Sequence, residues 1–201
     1  MLRQQDDVEI AGLLTTINAQ FQRVAMHGTR RALLEAQAAA AGLPLWEIPL
    51  PWPCSNEHYE QAMGAACSTA VEKGISGIAF GDLFLEDVRR YREDRLLGTG
   101  LQPIFPIWGL DTRELIAEML DDGLRARIVC VDPVKLPADF AGCDVSRDLL
   151  RRFPVGVDPC GENGEFHTFA YAGPMFSQPI AIESGESVTR DGFIFADVLP
   201  K

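Results

Sequence analysis

The stretch Asp158-Pro159-Cys160-Gly161-Glu162-Asn163-Gly164-Glu165-Phe166-His167-Thr168 is the densest polar cluster of the chain. Glu162 and Glu165 stand three residues apart, His167 follows two further on, and Gly161 and Gly164 let backbone approach a ligand. These are the groups needed to bind a cation or to move protons. In a strand, Glu165 and His167 would share a face. The same residues also suit a solvated turn ahead of a strand, with Asn163-Gly164 as its turn chemistry.

A second cluster is Gly81-Asp82, placed after an apolar run that ends at Phe80 and before a helical pattern carrying Arg89, Arg92 and Glu93. At the carboxyl end of a strand in an open sheet, glycine admits a ligand and the carboxylate takes a hydroxyl or a metal. Asp82 would equally serve as a helix N-cap, with the charges covering a solvent face. A third is Met26-His27-Gly28, between the run Leu13-Leu14-Thr15-Thr16 and a helix. His27 could donate to an anion, and the strand end at Thr15 could present backbone groups to a purine; a structural histidine fits as well.

The elements that must position these clusters alternate. Apolar runs at 8–15, 44–48, 75–80, 102–106 and 127–131 read as strands, with helices at 29–41, 55–73, 85–97 and 111–121 between them. That rhythm predicts an α/β fold: an open, mainly parallel sheet with helices on both faces. Ser55 and Asp111 are N-cap residues, and Gly42, Gly74, Gly98 and Gly123 are C-terminal stops. After Asp132-Pro133 the pattern changes to a short helix at 146–152 and runs at 165–171, 180–187 and 188–198 that alternate like antiparallel strands. The expected division is a nucleotide-binding α/β domain over 1–132 and a C-terminal β-rich, substrate-side region over 133–201.

Composition narrows the function. The 201 residues carry 18 basic and 29 acidic side chains, a net charge of −11. Such a chain does not suit nucleic acid or an anionic membrane. No apolar run is long enough to span a bilayer, and residues 1–7 lack the core of a secretory signal, so the expected location is cytoplasmic. The five cysteines show no CxxC spacing, and no metal-ligand set is read; buried or idle thiols are expected.

Taken together, Met26-His27-Gly28 with Gln37-Ala38 and Leu43-Pro44-Leu45, Gly81-Asp82-Leu83 with Arg89 and Glu93, Pro106-Ile107-Trp108-Gly109, and above all Cys160 to Thr168 followed by Gly173-Pro174, resemble the diphthine-ammonia ligase family. The resemblance runs from about residue 8 to 176, and Glu-Asn-Gly-Glu-Phe-His-Thr is its most specific motif. It implies an adenine nucleotide alpha hydrolase-like fold and an ATP-dependent amide ligase. Such an enzyme uses ATP and magnesium to activate a carboxylate as an acyl-adenylate and then amidates it with ammonia. The family's acceptor is the diphthine residue of translation elongation factor two; the acceptor of this chain is left open. On the resemblance, Asp82 and Glu162 would hold magnesium or orient ribose and phosphates, and Glu165 with His167 would handle the acyl acceptor. Thr15, Met26, His27, Gly81, Arg89, Glu93, Gly161 and Gly164 would contact the cofactor.

The sequence departs from the family at its start. It has no strand followed by an SGGKDS-like phosphate loop, and Met1 to Gln5 read as the end of a helix. The chain taken alone is therefore expected to bind ATP poorly and to leave strand edges open where the first strand belongs. A homodimer through that edge and the Pro-Trp segments is a further expectation. The rival reading is a non-catalytic nucleotide- or metabolite-binding module.

Overall fold

The computed structural model describes residues 1–25 and 27–201. Met26, expected at the cofactor, lies outside the described residues. A single 3-10 turn (Leu2–Gln4) precedes β1 (Leu13–Asn18), β2 (Arg23–Val24), α1 (Arg31–Ala41), β3 (Leu45–Leu50) and α2 (Asn56–Glu72). Next come β4 (Gly77–Ala79), α3 (Glu86–Leu96), β5 (Gln102–Ile104), α4 (Thr112–Asp121) and β6 (Arg125–Val131). A 3-10 turn (Ala138–Phe140), α5 (Arg147–Arg151), β7 (Phe166–Ala172), β8 (Ile182–Arg190) and β9 (Phe193–Pro200) complete the chain.

Local signals set the boundaries. The Ser55 hydroxyl accepts the His58 N–H, and the Asp111 carboxylate accepts the N–H groups of Arg113 and Glu114, so donors orphaned at each helix start are taken. Gly42 ends α1 in the left-handed region at φ 65°. The run expected from Val8 becomes a strand only at Leu13, where its N–H meets the Pro44 carbonyl and parallel pairing with β3 begins.

The strands do not form one open sheet. β1 pairs with β3 in parallel and with β2 antiparallel, β4 pairs with β5 in parallel, and β7-β6-β9-β8 form a four-stranded antiparallel sheet. The expectation that 127–131 belongs to a parallel sheet is thus corrected. β6 is covered on both faces, and an apolar run buried on both faces looks the same in a parallel and an antiparallel sheet. One face packs Ala126, Ile128 and Val131 against Ile116 of α4, Leu136, Phe140 and Leu149 of α5. On the other, Val129 meets Leu33 of α1, Phe169 and Val198.

Ile128 and Val131 would point to opposite faces under strict alternation. A bulge against β7 between Ile128 and Cys130 makes Val129 an extra residue and restores both neighbours to the same core. A third, smaller core joins Cys67 and Ala70 of α2 to Leu96 and Leu101, with Trp46, Ile78 and Phe80 packed on it. Among the described residues, no helix is long and apolar enough to cross a membrane.

Candidate active site

The loop between α5 and β7 is built by its own carboxylates. Asp158, 8% exposed, accepts the N–H groups of Cys160 at 3.1 Å and Glu162 at 2.9 Å. Gly161 has φ 75°, and a Cβ there would lie 2.8 Å from the Phe166 carbonyl oxygen, so the position admits only glycine. Glu165, 2% exposed, turns back into this loop: its Oε1 accepts the Asp158 N–H at 2.9 Å and the Asn163 side-chain amide at 3.1 Å. Its Oε2 is buried with no hydrogen-bond partner among the described residues. Buried polar atoms are ordinarily paired, so this oxygen is open to a donor.

Glu162 reaches out of the loop. Its Oε1 accepts the backbone N–H of Leu83 at 2.7 Å and, more weakly, that of Phe84 at 3.5 Å. The first and second clusters are thereby joined across 79 residues of chain. Asp82 does not cap the following helix, whose N-cap is Leu85. It pairs instead with Arg92 at 3.0 Å. Arg89 bonds Glu93 at 2.8 Å and lies over the rings of Phe105 and Trp108, at 4.8 and 4.7 Å from their centroids. Arg92 lies over Phe80, which stacks on Phe105. The strand ends of β4 and β5 thus carry an arginine–aromatic stack beside a fixed carboxylate. Gly81 next to it is open: a Cβ at that position would have no atom within 4 Å.

The third cluster meets the first by a different route. His27 and His167 stack with ring centroids 4.5 Å apart and planes at 30°. Burial lowers the His27 pKa, opposed by a hydrogen bond to the Thr168 backbone. Burial, then the neighbouring His27, pushes His167 down to about 4. Both rings are neutral near pH 7. β7 begins at Phe166, one residue after Glu165; the Glu165 carboxylate bonds into the loop while His167 stacks on His27. Thr15 sits inside β1, paired with Glu47 of β3. Gly164, at φ 74°, turns beside Lys135, whose Nζ donates to the Asn163 carbonyl at 2.7 Å.

Two of the thiols are poor nucleophiles. Cys160 is pushed up to about 12, by burial first and then by Asp158, Glu162 and Asp111. Cys130 rises to about 11, again through burial first. No group of three metal-ligating side chains occurs among the described residues.

A clamp that sequence spacing does not signal holds the 23–30 segment to β9. The Asp197 carboxylate accepts from Arg23 at 2.9 Å and from Arg30 at 2.5 Å. Its partners lie 174 and 167 residues away, so no local pattern reveals the clamp. Beneath the segment lies a cavity of about 230 Å³ between His27, Gly28 and Thr29 on one side and β8 and β9 on the other.

The architecture is a mixed α/β protein closed by an antiparallel C-terminal sheet, and residues 111–197 match the family "Diphthamide synthase C-terminal domain". The chain is 26% identical over 183 residues to the diphthine–ammonia ligase of Bos taurus, covering 82% of this chain and 67% of that protein. It is 27% identical over 179 residues to that of Danio rerio, covering 80% and 69% respectively. Against the ligase of Mus musculus, 27% identity extends over 154 residues, 72% of this chain and 56% of the relative. Residues 111–197 thus carry the match to the diphthamide synthase C-terminal domain, and most of the chain is similar to proteins named diphthine–ammonia ligase.

Proposed function

We propose that the chain supplies the strand-end loop and the acceptor-side region of an ATP-dependent amide ligase. In this reading the enzyme activates a carboxylate as an acyl-adenylate, releases pyrophosphate and amidates the acyl group with ammonia. The fold is read as adenine nucleotide alpha hydrolase-like, the location as cytoplasmic, and the acceptor as a diphthine-type carboxylate. The observation that carries the reading is the Glu162–Leu83 hydrogen bond of 2.7 Å. It ties the Gly81-Asp82 loop to the Cys160–Thr168 motif, which supports a reading in which nucleotide and acyl acceptor meet there.

The roles follow from the contacts. Glu162 fixes the loop after β4, and Arg92 fixes Asp82 through one oxygen. Magnesium is usually held by one or two carboxylates plus phosphates, and Asp82 fits that demand; the ion would neutralise phosphate charge. Gly81 leaves room for the nucleotide, and Arg89 with Glu93 forms a charged wall beside it. Glu165, buried in the loop, holds the backbone of Asp158 and the Asn163 amide and so positions the acceptor side. His167, neutral at pH 7, serves there as a hydrogen-bond partner and not as a strong base.

The 201 residues contain no SGGKDS-like stretch, which favours weak ATP binding by the chain alone. It also supports the second reading, a nucleotide- or metabolite-binding module without catalysis. Calorimetric titration of ATP with magnesium separates the two. The chain is compared with a version preceded by a strand, an SGGKDS-like loop and a helix. Binding by the extended version, lost on Asp82→Ala, together with pyrophosphate release when ammonium and acceptor are added, is the expected result. Binding without pyrophosphate release supports the module, and no binding by either protein overturns both.

A further inference from the structure

The cavity beside the Asp197 clamp carries two charges, Glu186 and Arg190, that the clamp does not use. Glu186, Val188 and Arg190 alternate along β8 and line one wall. Arg23 is spent on Asp197 and on the Gly28 carbonyl, and Arg30 on Asp197. Glu186 has no hydrogen bond or ion pair among the described residues. Arg190 has no better partner than Asp191 at 3.9 Å, beyond hydrogen-bond reach. Its guanidinium lies over Phe195, 4.7 Å from the ring centroid, and makes no hydrogen bond among the described residues. Between the two charges the wall is apolar, formed by Val188, Phe195 and Val198.

The spacing is that of a ligand with two opposite ends. Glu186 and Arg190 are four residues apart, roughly 13 Å along an extended strand. Arg190 leans back over Phe195, which pairs with Val188, and so shortens the gap. We propose that this cavity binds a small zwitterion, its carboxylate taken by the edge of Arg190, its ammonium by Glu186, and its methylene chain laid on Val188 and Phe195. A simple anion would meet Glu186 across the same mouth, and a simple cation would meet Arg190, so neither is matched to the wall. The proposal does not depend on the ligase reading, and its test needs no ATP.

The test uses 6-aminohexanoate as probe, with hexanoate and hexylammonium as single-charge controls, followed by amide NMR shifts of the whole chain. Saturable shifts confined to β8, β9 and residues 27–29 are expected with 6-aminohexanoate. Binding should fall roughly tenfold or more in Arg190→Met and in Glu186→Gln, each removing one charge-assisted contact. Both side chains are exposed, and the unliganded spectra of the variants check that the sheet is intact. Absence of saturable binding by the folded wild-type chain overturns the proposal. So does hexanoate binding as tightly as 6-aminohexanoate, or binding that neither substitution weakens.

Discussion

The C-terminal sheet and the N-terminal strand pairs are held by different means. Ile128 and Val131 of the sheet, and Leu136 packed on it, are fully buried, and helices cover β6 on both faces. In β1, β3, β4 and β5, Ile17 and Leu50 are the buried residues and the others are half-buried or exposed. There a smaller apolar core is supplemented by charge: Arg31 to Glu47, Arg92 to Asp82, and two arginines over the Phe80, Phe105 and Trp108 rings. Apolar burial makes the C-terminal half a rigid platform. The N-terminal half presents its strand ends through contacts that solvent and ligands can reach.

The sharpest way to break this contrast is Leu136→Ala. It should cost about 2–5 kcal/mol, as expected for a fully buried leucine, in chemical denaturation. Ile78→Ala in the half-buried β4 should cost closer to about 1 kcal/mol, near the centre of ordinary substitutions. Equal losses at the two positions would remove the distinction.

Next in size is Asp197→Asn, which leaves Arg23 and Arg30 without their shared carboxylate and should loosen residues 23–30 in hydrogen exchange. Burial raises the Asp197 pKa, but the hydrogen bonds and charges of the two arginines outweigh it and hold the group at about 2, below its ordinary 3.8. Its stabilisation is therefore present above pH 3.8 and is lost as pH falls through about 2. The variant should show a flatter acid limb in thermal melts at that end.

A smaller effect belongs to His167. Its pKa drops from 6.5 to about 4 on folding, so between those values the unfolded chain binds the proton and the folded chain does not. Stability should fall as pH is lowered from 6.5 to 4, and His167→Phe should flatten that slope. The smallest is Arg151→Ala, which breaks an exposed pair with Asp148 and should change stability by about 0.5 kcal/mol or less.

The sequence was informative where the signal is local. Ser55, Asp111 and Gly42 mark helix ends by chemistry confined to one turn, and the helices are found within a residue or two of them. The Cys160–Thr168 loop was visible for the same reason, since its glycines and carboxylates fold on each other. What failed was non-local. The direction of β6 is hidden because both of its faces are apolar, and the bond from the Asp158 N–H to Glu165 is one that strand alternation does not encode. The Glu162–Leu83 bond and the Asp197 clamp join residues far apart in sequence, and no periodicity encodes them.

The extra residue in β6 makes the strand sensitive to length in a way that it is not sensitive to composition. Exchanging Val129 for isoleucine keeps every neighbour on its face. Deleting it would shift the preceding residues by one step against β7, sending Ile128 and Ala126 toward α1 and Arg127 into the core beside Phe140. In β6 the number of residues is therefore held as strictly as the buried side chains themselves.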